Sequence, residues 1–286
     1  MSTNAADARN ADQIAFWSGS GGRRWVNRQE PWDLVLAPVT TLALERAAPR
    51  PGERVVDIGC GCGATTIALA ERVGPAGLVM GIDVSALMLA RAAERLPPGS
   101  PIRLVEADAT TYRFPAGEFD LLFSRFGVMF FAEPERSFAN LRTALRPGGR
   151  MVFACFRTPK ENPWMMLPLQ AAYQHVPPLP KLGPEDPGPF SLASEERLRR
   201  ILDQAGFRSV EPVPVDLELD LAGGRGLDTA VANALEIGAT SRAIEGQPPA
   251  IQSAVAQSIR EAFAPHQRGT AVPISAAIWL VAGASP

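Results

Sequence analysis

Only three cysteines occur in the 286 residues, at positions 60, 62 and 155. An odd, small number excludes a disulfide framework and points to a reducing compartment. Histidine is scarcer still, at two. His175 and His266 are therefore the only histidines available as acid–base groups near neutral pH. An excess charge of either sign is also missing. Lys plus Arg is 28 and Asp plus Glu is 30, a net charge of −2. Such a chain has no overall attraction to nucleic acid or anionic lipid, and a small-molecule partner is expected. No run of about 18 apolar residues exists to span a bilayer. The polar start, MSTNAADARNADQ, has no signal-peptide core, so the cytoplasm is the expected location. There is no internal repeat, no low-complexity tract and no catalytic triad.

What is present is an apolar fraction of 46%, enough for a sizeable core, and an alternation of strand and helix signals. Arg54–Ile58 is a short apolar run that stops at glycines, as a buried strand does. Further strands are expected at Leu78–Ile82, Ile102–Glu106, Phe119–Ser124, Met151–Phe156, Val213–Leu221 and Ala276–Ala282. Helices are expected from about Leu34 to Ala48, then at Thr65–Arg72, Ala86–Leu96 after a Ser85 cap, Pro134 to Arg146, Ser194 to Ala205, and within 227–263. Residues 1–12 read as frayed. The chain has 27 prolines, and their cluster in 159–189 reads as an irregular loop. The alternation implies an α/β, Rossmann-like, doubly wound sheet of about seven strands, mostly parallel, with helical cap insertions.

The informative stretch is Asp57-Ile58-Gly59-Cys60-Gly61-Cys62-Gly63, where a strand turns into a helix. Glycines there permit positive φ and close approach of a ligand to the backbone, although an ordinary tight turn uses them too. Asp83 ends the second strand, where a carboxylate can accept both hydroxyls of a ribose. Asp108 follows the third strand, where it can accept from an adenine amino group beside the Ala109 backbone. A dinucleotide fingerprint, G-x-G-x-x-G, competes, because Ala64 is tolerated at its third position. Asp57, placed before the glycines, favours a ligand with a cationic amino group over a diphosphate. The cysteines lack zinc spacing and read as small buried side chains, so no metal is expected.

The stretches VVDIGCGCGATTIALA, GIDVSALMLARA, VEADATTYRF, FDLLFSRFGVMFF and LRPGGRMVFACF, in that order over about 54–156, resemble class I S-adenosylmethionine-dependent methyltransferases. The likeness is to the small-molecule branch that includes the ubiquinone and menaquinone C-methyltransferases. It implies one methyltransferase domain over 51–286, capped at about 157–192 and 222–273, preceded by a helical segment or lid over 1–50. It implies an antiparallel C-terminal strand and S-adenosyl-L-methionine as cofactor, with S-adenosyl-L-homocysteine as product. Asp57, Gly59 and Gly61 would surround the methionine part. Asp83 would hold the ribose, with Val84 and Met88 against the nucleoside. Asp108 and Ala109 would take the adenine, and Ser124 would contact the cofactor or face the acceptor.

A sulfonium brings its own electrophile, so the protein's main tasks are in-line positioning and exclusion of water. His175 is a candidate base for acceptors that must lose a proton; His266 is a weaker one. Phe126, Met129, Phe130 and Phe131 could wall an apolar acceptor pocket, and Trp17 and Trp25 could close over the cofactor. The expected activity is methyl transfer to an O, N or C atom of a small, apolar metabolite. A non-catalytic cofactor-binding protein and an RNA or protein methyltransferase are the alternatives.

Overall fold

The apolar runs that stop at glycine or aspartate become the strands of one sheet. The computed structural model describes residues 5–236 and 238–286. Its strands are β1 (Arg54–Ile58), β2 (Leu78–Asp83), β3 (Ile102–Glu106), β4 (Phe119–Arg125), β5 (Leu145–Phe156), β6 (Arg208–Asp220) and β7 (Pro273–Ala284). They lie in the order β3-β2-β1-β4-β5-β7-β6. β1 to β5 are parallel, and β7 runs antiparallel to both β5 and β6. The mostly parallel, Rossmann-like sheet expected from the sequence is therefore present. Growth of the sheet reverses between β1 and β4, and ligands of open α/β sheets bind beyond the strand ends at such a point.

The helices are α1 (Ala5–Ser18), α2 (Ser20–Asn27), α3 (Gln29–Ala47), α4 (Ala64–Val73), α5 (Ala86–Arg95), α6 (Pro134–Arg142), α7 (Pro163–Ala172), α8 (Glu195–Gln204), α9 (Leu227–Glu236), α10 (Gly238–Ala243) and α11 (Pro249–Phe263). Ser85 and Ser194 cap α5 and α8 by accepting from the Met88 and Arg197 amides, which satisfies one orphan donor at each helix start. α3 packs on β4 to β7. Its last turn is tied down by Arg150, which donates to the carbonyls of Ala47 and Ala48 and pairs through two bonds of 2.8 Å with Glu53. The last carbonyls of a helix need such partners, and this one fixes α3 against the base of β1 and β5.

Three expectations need correction. Residues 5–12 are helical, not frayed; residues 1–4 lie outside the described residues. Contacts remote in sequence hold α1 in place: Asn10 donates to Asp108, Ser18 donates to the Val84 carbonyl, and Trp17 meets Phe130 edge-on at 5.1 Å.

The proline-rich stretch contains α7. Pro163 occupies the first turn, where no amide donor is missed. Buried Asn162 anchors that turn to β7, donating to the carbonyls of Arg157, Thr158 and Ala277 and accepting from the Ala277 amide and the Trp164 indole. The helix also carries Pro168 inside it; packing against α10, α11 and β7 outweighs the lost bond.

Finally, α6 ends at Arg142 and β5 begins at Leu145. Pro147-Gly148-Gly149 is absorbed by a break in register opposite β4, between Phe119 and Leu121.

Candidate active site

The glycine loop is built by a close approach of two backbones. Gly59 has φ of +66°, and a Cβ there would lie 2.8 Å from the Gly127 Cα. A Cβ on Gly127 would lie 2.6 Å from the Ile58 carbonyl oxygen. No larger residue fits either position without moving main chain. Ser124 clamps the pair from below: its hydroxyl donates to the Ile58 carbonyl at 2.8 Å and accepts from the Gly127 amide at 3.2 Å. Phe126, between them, takes a left-handed φ of +71°. Such strain persists only where the surrounding contacts impose it.

Above this loop opens a cavity of about 500 Å³, within the usual range for small-molecule sites. Its floor is the C-terminal edge of the sheet: Ile58 of β1, Ile82 and Asp83 of β2, Ala107 to Ala109 after β3, Arg125 of β4 and Phe156 of β5. Its remaining walls come from the glycine loop, the starts of α4 and α5, the segment after β4, the 182–190 stretch, Leu221, and α1, α2, α3, α7, α9 and α10.

Most of the residues expected at the site line this cavity together: Gly59, Gly61, Asp83, Val84, Met88, Asp108 and Ala109. Asp83 receives the Gly61 and Ser85 amides at 2.9 Å each, one on each carboxylate oxygen. Burial raises its pKa, and these two bonds offset only part of that rise. The carboxylate is thus fixed in orientation while its remaining lone pairs are available. The Met88 methyl lies where a side chain on Gly61 would stand, 2.8 Å from that ideal Cβ. Asp108 accepts from the Thr110 amide and from Asn10 of α1, each on a separate oxygen. The carbonyls of Ala109 and Tyr112 are pinned by Asn140 at 3.1 and 3.0 Å.

Asp57 and Ser124 do not line the cavity. Ser124 is 2% exposed and acts as the clamp described above, correcting the expectation that it touches cofactor or acceptor. Asp57 is wholly buried, with Oδ2 accepting from the hydroxyls of Thr65 and Thr66 at 2.7 Å each. Its Oδ1 is buried and receives no hydrogen bond from any of the described residues. Burial pushes its pKa up to about 6 against the pull of the two hydroxyls and of Arg125. It is a support beneath the loop, joining β1 to the first turn of α4.

His175 is also misplaced by the sequence reading. Its Nε2 sits 2.8 Å from the Ser258 hydroxyl of α11, and it does not reach the cavity. The turn that ends α7 directs it there. His266, in a short 3₁₀ turn after α11, lies outside the cavity as well. The three thiols are buried and unpaired. Burial pushes Cys62 up to about 12 and raises Cys60 and Cys155, so none supplies a thiolate at neutral pH.

The expected apolar wall of Phe126, Met129, Phe130 and Phe131 is present, as are Trp17 and Trp25. Sequence reasoning missed the other half of it: Trp32, Phe156, Trp164, Met165, Met166 and Phe190. The rings pack on one another: Phe156 is stacked on Phe126 with centroids 4.0 Å apart, while Trp32 and Trp164 at 5.9 Å and Phe156 and Trp164 at 5.5 Å are tilted. It also missed Asp33 and Arg125. The only available signal was the charge of Arg125 at the tip of a mostly apolar strand.

A parallel sheet with one antiparallel strand, a glycine turn after β1 and an acid at the tip of β2 define a nucleoside-binding α/β domain. Residues 55–149 match the family described as a methyltransferase domain. The chain is 36% identical over 138 residues to the nocamycin O-methyltransferase of Saccharothrix syringae, a match covering 46% of this chain and 49% of that protein. It is 33% identical over 178 residues to the demethylmenaquinone methyltransferase of Thermus thermophilus, covering 58% of this chain and 77% of that protein. The crystal structure of the YcgJ protein of Bacillus subtilis superposes with a TM-score of 0.56 at 18% identity, over 86% of this chain and 97% of that one, a likeness of fold. The chain belongs to the class I S-adenosylmethionine-dependent methyltransferases, in their small-molecule branch.

The cavity fits that cofactor on its own evidence. The glycine loop lines the cavity beside Asp83, which stands on the second strand tip with lone pairs beyond those taken by the Gly61 and Ser85 amides. Among the described residues no helix is long and apolar enough to cross a membrane.

Proposed function

We propose that the chain transfers a methyl group to an O, N or C atom of a small, apolar acceptor bound in the aromatic half of the cavity. One observation carries the reading: a single hollow is lined by two chemically different sets of residues. The glycine loop and the strand tips offer backbone and carboxylates, as a nucleoside requires. The rest of the lining is rich in Trp, Phe and Met, which bind flat apolar molecules and exclude water. Gly59 and Gly61 would face the methionine part, Asp83 the ribose, Val84 and Met88 the nucleoside, and Asp108 with Ala109 the adenine. When bound, S-adenosylmethionine supplies a methyl already activated on sulfur. The chain's own residues then hold the acceptor in line and keep water out. Residues 1–50 and the insertions at about 157–192 and 222–273 act as the lid and caps, since α1, α2, α3, α7, α9 and α10 all contribute wall residues. The reading places the protein in the cytoplasm, with no nucleic-acid partner; the three unpaired cysteines and the balanced charge support this.

The test is calorimetric titration with S-adenosylhomocysteine and, separately, NADH. Labelled S-adenosylmethionine is then incubated with a panel of small aromatic hydroxyl and carbon acids. Binding of the homocysteine product, and label transferred to a member of the panel, is the expected outcome. Tight NADH binding without the adenosyl product would reject it.

A further inference from the structure

Three arginines line the cavity: Arg24, Arg125 and Arg242. Arg125, at the tip of β4, has the charges of Asp33 and Asp57 nearby. The other two lie together on the helices that cover the sheet. Arg24 of α2 donates to the Ser241 hydroxyl of α10 at 3.4 Å, and Arg242 is the next residue of that helix. Arg24 has one ion pair, at 2.7 Å to Glu245, which is not among the residues lining the cavity. Arg242 is accessible and stands over the face of Phe16, 5.8 Å from the ring centroid. That ring is fixed in turn, because it occupies the space beside Gly21 of α2, where a Cβ would lie 2.5 Å from it. Among the described residues Arg242 has no ion pair and no side-chain hydrogen bond. Partial desolvation lowers its pKa; Tyr173 opposes that shift, and the charge of Arg24 adds to it. Two further acids line the cavity from the same side without reaching Arg242: Glu236 pairs with Arg28 at 3.9 Å, and Asp12 of α1 pairs with neither arginine.

Two neighbouring guanidiniums share one carboxylate, so Arg242 leaves one positive charge over. Like charges side by side are unfavourable until an anion joins them, and a guanidinium held over an aromatic face keeps its edge donors for a planar carboxylate. We propose that the acceptor is an apolar acid, its carboxylate anchored by Arg242 beside Arg24 and its hydrocarbon body lying against the aromatic wall. One surplus positive charge matches a monoanion; a diphosphate would bring more negative charge than the pair can balance. The anchor rests on the reading above that an apolar acceptor occupies this cavity. It also explains why a cavity with so much aromatic lining carries arginine on the helices that close it: the charge selects among apolar molecules that the rings alone would bind alike.

The test adds matched acids and amides to the protein saturated with S-adenosylhomocysteine: 2-naphthoate against 2-naphthamide, and cinnamate against cinnamamide. Each pair shares an apolar body and differs in charge. By calorimetry the wild-type complex should bind each acid about tenfold more tightly than its amide, as a hydrogen bond to a charged group implies. Arg242→Gln should bring the acid down to the level of the amide, moving neither the amide nor S-adenosylhomocysteine by more than about twofold. Arg242→Lys should keep part of the preference, since the charge stays and the planar fork is lost. Thermal unfolding checks that each variant folds. If Arg242→Gln is unstable, Arg242→Lys and the wild-type preference carry the test. Equal affinity for acid and amide in the wild-type protein, or a preference that survives Arg242→Gln, overturns the anchor while leaving methyl transfer to a neutral acceptor in place. Failure to bind S-adenosylhomocysteine removes the cofactor reading. Binding of S-adenosylhomocysteine without any of the four probes removes the apolar acceptor pocket, and the anchor with it.

Discussion

Replacing Asp57 with Asn should change how stability depends on pH, in a direction opposite to that of ordinary acid denaturation. Asp57 is 0% exposed, and its pKa stands at about 6 against an ordinary 3.8. The folded protein therefore binds a proton at this site more tightly than the unfolded chain. Between those two values the native state holds more protons, so stability falls as pH rises. The contribution is fully present below 3.8 and is lost as pH passes 6. A gap of roughly two pKa units corresponds to about 3 kcal/mol. Asn has nearly the same shape and does not ionise, and the Thr65 and Thr66 hydroxyls can rotate to meet its amide. The measurement is urea unfolding of both proteins from pH 4 to 7.5. The difference between them cancels every other titrating group. Wild type should lose stability relative to Asp57→Asn by about 3 kcal/mol across the range. Parallel curves, or a difference of opposite slope, would refute the buried-carboxylate account.

Glu53 supplies the contrary case: its pKa is lowered by its bonds to Arg150 and the Arg50 amide, which outweigh burial. Its stabilisation is present above the ordinary carboxylate pKa and disappears as pH falls, so the cost of Glu53→Gln in urea unfolding should shrink toward pH 4. Asp83→Ala should weaken S-adenosylhomocysteine by about 1–3 kcal/mol in calorimetry; unchanged affinity in a folded variant would remove Asp83 from the site. Gly127→Ala, which sets a Cβ 2.6 Å from the Ile58 carbonyl oxygen, should lower the melting temperature and weaken the cofactor, with a cost of about 1–3 kcal/mol from overpacking. A variant with wild-type melting would mean that the two backbones separate easily.

The parts of the site legible in the sequence are those in which one short stretch supplies both the conformation and the chemistry. Gly59 and Gly61 announce a turn because they can take positive φ. Asp83 and Asp108 announce themselves because each follows an apolar strand. Asp57 shows the limit of that reasoning: its spacing was visible, but its burial beneath Thr65 and Thr66 was not. Ser124 and His175 failed for the same reason. Which way a polar side chain turns depends on partners such as Ile58, Gly127 and Ser258, which are distant in the chain. α7 was hidden by its prolines, because the contact that secures it, Asn162 to Ala277, spans 115 positions.

Hydrophobic period and glycine placement, which act over a few residues, settled the strands, the mostly parallel sheet and the nucleoside end of the hollow. Packing settled what closes over it. The aromatic wall drawn from α1, α2, α3 and α7 arises when apolar faces too broad for any one element to cover are buried together. That requirement belongs to the whole chain, and no local stretch encodes it.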